Sequence, residues 1–136
     1  MWTHLQKLIE LLLTGKHLIV LKRRQVGLST LLCAYSLWKT KFFANSKVLI
    51  LSQGEDEARD LISKIRYMDD NFPDFLRSKR DPDQTGFIGF PDTRSEIRAL
   101  PSTEKAGHGT DATLVICDEW EYHPYAEQNF AALKPT

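Results

Sequence analysis

Apolar positions along the chain fall into two periods. Three runs are continuously apolar: Leu18-Ile19-Val20-Leu21, Val48-Leu49-Ile50-Leu51 and Leu114-Val115-Ile116-Cys117. Such runs read as strands buried on both faces, here over His17–Leu21, Lys47–Leu51 and Thr113–Cys117. Between them, apolar residues recur at three- and four-residue steps, the period of a helix with one buried face. Leu5, Leu8, Ile9 and Leu12 make one such face, with Thr3 and Gln6 as a capping box and Gly15 as the stop. Leu28, Leu31, Leu32, Tyr35, Trp38 and Phe42 make a second, predicting a helix to about Phe43. Ala58, Leu61, Ile62, Ile65 and Met68 make a third. Ser52 and Glu55 form its capping box, and Glu55, Asp56 and Glu57 crowd the first turn, where the helix dipole favours them. That is a sufficient structural explanation for the acidic cluster, and no metal role is assigned to it.

Elsewhere the pattern is weaker. Pro73 and Pro82 punctuate a stretch from Asp69 to Asp83 carrying Arg77, Lys79 and Arg80, which reads as a solvated loop. Phe87–Phe90 and Glu96–Leu100 read as antiparallel strands around a Pro91-Asp92-Thr93 turn. Ser102 to Asp111, rich in Gly, Ser and Thr, is expected to be mobile. Strands alternating with helices predict an α/β fold with a mostly parallel sheet.

The chemistry enters where the first run meets the second helix, at Lys22-Arg23-Arg24-Gln25-Val26-Gly27-Leu28-Ser29-Thr30. A turn between a buried strand and a helix N-terminus points backbone N–H groups at an anion. The usual phosphate loop reads G-x-x-x-x-G-K-[ST]. With Gly27 as its second glycine, Ser29 is the hydroxyl for magnesium. Leu28 then stands where the lysine belongs, and Lys22 where the first glycine does. A lysine there can fold over the loop toward phosphates, with Arg24 as a second candidate. The plain structural alternative is a basic turn with Ser29 as helix N-cap.

The third run ends in Asp118-Glu119, and ligands of open α/β sheets bind at that end of the strands. Asp118 offers a hard oxygen ligand for Mg²⁺ opposite Ser29, and Glu119 a group to orient or deprotonate a water. A strand ending in two acids is common by chance; the upstream loop makes this one informative.

Composition changes the picture little. The chain has 136 residues, one domain's worth, with 18 basic and 18 acidic side chains. There is therefore no global basic signature of a nucleic-acid binder, and any DNA contact must come from local patches such as 22–24 and 77–80. No apolar run approaches membrane-spanning length, and the first ten residues do not read as a secretory signal. Cys33 and Cys117 lack metal-ligand spacing and read as reduced core thiols.

Taken together, KRRQVGLST, GHGTDATLVICDEWEYHP and the terminal AALKPT resemble the ATPase domain of the large terminase subunit of tailed double-stranded DNA phages. In that family the phosphate-loop lysine is sometimes found at the loop's first position. The resemblance implies a P-loop NTPase-like three-layer sandwich over 1–136, incomplete at its C-terminus, with ATP and Mg²⁺ as ligands. Lys22 to Thr30 would line the nucleotide site, Gln6 would contact the adenine, Ser29 and Asp118 would hold the metal, and Glu119, Lys22 and Arg24 would carry the chemistry. The implied role is a homo-oligomeric ring at the portal, working with the small terminase subunit in the infected bacterial cytoplasm to drive double-stranded DNA into a procapsid.

Three departures accompany it. The coupling strand and nuclease domain of the family are not in this sequence, so the chain is expected to be an N-terminal fragment or a truncated gene product. Without that strand, the phosphate-loop strand and the acidic-pair strand are expected to be separated by a gap, with weak stability or pairing to another copy. His108 occupies the place of a family arginine, and Arg94 and Arg98 are the weaker substitutes. His123, Trp120 and Tyr122 read as packing residues. Two alternatives remain beside the motor: another P-loop ATPase of helicase-like type acting on nucleic acid, and a non-catalytic remnant.

Overall fold

A computed structural model describes residues 2–23 and 26–133. Its centre is β1 (Lys47–Ser52), whose residues after Lys47 are all buried. β4 (Ser95–Pro101) and β5 (Leu114–Cys117) flank it, both parallel. β3 (Phe87–Phe90) returns antiparallel to β4, and the two-residue β2 (Asp83–Gln84) antiparallel to β3. The five-stranded order is β2-β3-β4-β1-β5. The sheet is therefore mixed rather than mostly parallel, because the 87–100 hairpin adds its strands to the same sheet.

Alternation along the strands sorts the core. Val48, Ile50, Ile88, Phe90, Ile97, Ala99 and Ile116 face α2 (Leu28–Phe42) and α3 (Glu55–Asp70), meeting Cys33, Leu37, Ala58, Leu61, Ile62 and Ile65. Leu49, Leu51 and Val115 face the other way, onto Ala106, Trp120 and Leu133. Leu133 closes α4 (Ala126–Leu133), the helix of that second face. The loop before β5 is packed rather than free: Ala106 and Gly107 are buried. A Cβ on Gly107 would come within 2.9 Å of the Leu133 side chain, and its φ of +87° favours glycine. The buried Asn129 of α4 donates to Ser102 Oγ at 2.8 Å, tying loop and helix together.

α3 buries the face its sequence predicts, plus Asp69. α2 differs: Phe42 is exposed, and the buried face carries Ser36 and Thr40, whose hydroxyls donate to the Leu32 and Ser36 carbonyls. Satisfied in this way, small polar residues are buried without an unpaired hydroxyl. No capping box forms: Trp2 and Gly54 stand at the N-caps of α1 (Thr3–Leu13) and α3, without side-chain cap bonds. The 69–83 stretch holds a single-turn 3-10 helix, Asp74–Leu76, and is strapped down by Arg80, which reaches Asp69, Asp70 and Asp83. Burial raises the Asp83 carboxyl, but hydrogen bonds from Arg66 and Arg80 outweigh it and hold the group below its ordinary range.

The expected first strand is the largest departure. Residues 17–21 form no strand, and Ile19 and Leu21 are 95% and 96% exposed. β5 pairs with β1 on one side and is a sheet edge on the other. The two segments are not bonded to each other, so the run that leads into the loop stays outside the sheet. Leu21→Ser is accordingly expected to shift the unfolding free energy by no more than about 0.5 kcal/mol in urea titrations. A loss of about 2 kcal/mol or more would place Leu21 in a core.

Candidate nucleotide site

The loop and the acidic pair meet although 89 residues separate them. Ser29 Oγ, in the first turn of α2, donates to Asp118 Oδ2 at 2.7 Å. Lys22 Nζ lies 3.9 Å from Asp118 Oδ1 and 4.0 Å from Glu119 Oε1. β1 and β5 explain the placement: Asp118 N–H donates to the Leu51 carbonyl at 3.0 Å, carrying the ladder one residue past β5. The carboxylate therefore emerges at the C-terminal end of the parallel strands. Glu119 follows with φ +52° and ψ +44°, a left-handed conformation costly for a residue with a side chain.

α2 starts at Gly27, whose φ of +76° makes the sharp entry, and no side chain caps it. The first N–H groups of an uncapped helix are donors without intrahelical acceptors. Beside them is a pocket of about 330 Å³ lined by Trp2, Lys22, Val26, Gly27, Ser29 and Thr30. α1 closes one side. Trp2 and Leu5 side chains lie 3.6 Å from where a Gly27 Cβ would stand. His4 Nε2 donates to the Val26 carbonyl at 3.2 Å, and Tyr35 Oη to the Leu12 carbonyl at 3.4 Å.

Lys22, Val26, Gly27, Ser29, Thr30, Asp118 and Glu119 are thus brought together. Leu28 is buried beneath the helix start, and Arg23 and Gln6 are exposed and do not line the pocket. Arg24 and Gln25 lie outside the described residues. Sequence reasoning missed Trp2 as a pocket wall, because nothing local reports how α1 folds back over the loop. His123, read as a packing residue, is buried in the turn after the acidic pair, its ring 4.8 Å from that of Trp120, whereas Tyr122, read the same way, is half exposed. Cys117 is exposed at the sheet edge, correcting its reading as a core residue. Cys33 is buried under the site, where burial pushes its thiol up to about 11, Lys64 pulls it down and Asp118 adds to the rise. It stays protonated and is no nucleophile.

Ser29 Oγ and Asp118 Oδ2 are hard oxygen donors within hydrogen-bond reach of each other, a pair suited to Mg²⁺, which takes few protein ligands and completes its shell from phosphate and water. Among the described residues no group of three or more His, Cys, Asp or Glu gathers as a self-sufficient metal site. Arg77 and Arg80 are paired to Asp74 and to Asp69, Asp70 and Asp83, and His108 is exposed. No helix among the described residues is long and apolar enough to cross a membrane. Comparison with protein-family models and with curated proteins found no match.

Proposed function

We propose that the chain binds a nucleoside triphosphate with magnesium and hydrolyses it, as the ATPase part of a terminase-type DNA-packaging motor. The single observation behind the nucleotide reading is the 2.7 Å bond between Ser29 and Asp118 under the Lys22 ammonium. A hydroxyl at a helix N-terminus, a carboxylate at a strand end and a lysine ammonium facing that carboxylate converge beside uncapped N–H groups. That set suits a polyphosphate and its counterion. The motor assignment, with double-stranded DNA, portal and small subunit as partners, rests on the motif resemblance.

In this reading Gly27 lets the phosphates approach the backbone, and the N–H groups of the first turn of α2 receive them. Lys22 swings from the carboxylates to the phosphate oxygens, a short move for a flexible stem. Ser29 and Asp118 would hold magnesium, which would neutralise phosphate charge. Glu119, whose carboxylate is more exposed than that of Asp118 and lies 4.0 Å from the pocket-lining Lys22, takes a proton from the attacking water.

Calorimetry of ATP–Mg²⁺ binding tests the site. Lys22→Ala is expected to weaken affinity about 10- to 100-fold, the worth of one charge-assisted phosphate contact. Ser29→Ala is expected to remove the magnesium dependence of binding. Equal affinity in wild type and Lys22→Ala would end the loop assignment. A second reading, a nucleotide binder that does not hydrolyse, draws on residues 17–21 lying outside the sheet, so that no strand leads into the loop. ATP binding without turnover in the wild-type chain is its signature.

A further inference from the structure

His123 is buried at the end of the turn that carries the acidic pair. Its Nε2 lies 2.8 Å from the Asp118 carbonyl oxygen. A carbonyl only accepts, so Nε2 carries the proton. Nδ1 is buried with no partner among the described residues, which suits a bare lone pair and not a second N–H. The ring is thus a donor aimed at one peptide group. That peptide joins Asp118 to Glu119, and its orientation sets ψ of the first residue and φ of the second.

The rest of the turn holds the ring in place. Tyr122 N–H donates to the Glu119 carbonyl at 2.9 Å and His123 N–H to the Trp120 carbonyl at 3.1 Å, closing a single 3-10 turn, Trp120–Tyr122. The Trp120 and His123 rings lie with centroids 4.8 Å apart, and Trp120 packs on the Leu49–Leu51 side of the sheet. The imidazole is therefore braced by packing on one side and spends its one donor on the backbone of the acidic pair. Inside the same turn is Glu119 with φ +52°, one of three residues other than glycine with positive φ among the described residues. Such a conformation persists only where its surroundings impose it.

We propose that His123 is a positioning residue: by holding the Asp118 carbonyl it fixes Glu119 in the left-handed conformation that brings its carboxylate to Lys22. The inference rests on the nucleotide-hydrolysis reading for its consequence, and on the turn geometry alone for its structural half. Each half has its own measurement.

The variants are His123→Phe, which keeps a packed ring without the donor, and His123→Gln, whose amide nitrogen reaches about as far as Nε2. His123→Phe is expected to lower kcat for ATP about tenfold or more while KM changes less than about threefold, because substrate contacts survive and only the transition-state group is displaced. The Glu119 Cα and Cβ chemical shifts are expected to leave the left-handed range in His123→Phe and return in His123→Gln, along with activity. A structural filler would instead lower thermal stability with kcat and the Glu119 shifts unchanged, which overturns the proposal. If the wild-type chain turns over no ATP, the hydrolysis reading fails, and the Glu119 shifts alone decide the positioning claim. If His123→Phe does not fold, the long-range ¹H–¹⁵N spectrum of wild-type His123 decides: an Nε2–H tautomer supports the proposal and an Nδ1–H tautomer overturns it.

Discussion

Glu119→Gln is expected to bind ATP–Mg²⁺ like the wild-type chain and to lose hydrolysis by about 10²- to 10⁴-fold, the worth of a positioned general base. The substitution preserves shape and leaves the left-handed backbone unrelieved, since glutamine has the same Cβ and stem. What it removes is the ability to accept a proton. It also removes one of the two negative charges facing Lys22, whose Nζ is 4.0 Å from Glu119 Oε1 and 3.9 Å from Asp118 Oδ1. That leaves Lys22 more available to phosphate, so affinity should hold or rise slightly. Binding by calorimetry and phosphate release from the same preparation give the two numbers. Unchanged turnover would exclude Glu119 as the base. A parallel loss of binding would mean that the carboxylate shapes the pocket.

The largest stability effect is expected far from that site. Asp69 is 1% exposed near the C-terminal end of α3, where the helix dipole disfavours an anion. It is held there by Lys41 Nζ at 2.7 Å and Arg80 Nη1 at 2.8 Å. Arg80 keeps Asp70 and Asp83 if Asp69 is lost, but Lys41 is left buried with Ser78 Oγ as its one polar contact among the described residues. Stranding a buried charge costs about 3–5 kcal/mol. Asp69→Ala should therefore lower the melting temperature by roughly 10 °C or more for a domain of this size. Adding Lys41→Met should recover much of the loss, because the stranded ammonium is then gone. A loss below about 1 kcal/mol, or no recovery in the double variant, would show that water reaches the cluster and screens it.

This cluster shows where sequence reading stops. The apolar positions of α3 define its buried face correctly, and Asp69 lies on that face by the same spacing. Nothing local says that two cations, 28 residues before it and 11 after it, will converge there. α2 fails in the opposite direction: its apolar residues suggested a face through Phe42, and the true face includes Ser36 and Thr40. Their hydroxyls are satisfied by the helix's own carbonyls, so their burial costs little and leaves no trace in a hydrophobic pattern.

The sequence by itself determined the local elements with strong periods: β1, α3, the 87–100 hairpin and β5, and it singled out Lys22, Ser29, Asp118 and Glu119 as candidates. Those follow from side-chain patterning and backbone preference, which act over a few residues. The tertiary structure decided what depends on a partner. It set the mixed sheet, the packing of the 102–112 loop under α4, the wall made by Trp2, and the hold of His123 on the Asp118 peptide. It also left residues 17–21 outside the sheet. Their apolar run specifies that they can be buried as a strand, but a strand also needs a neighbouring edge to take its N–H and C=O groups. Among the described residues β5 is not bonded to them, so the pattern and the fold part company at the segment that leads into the candidate site.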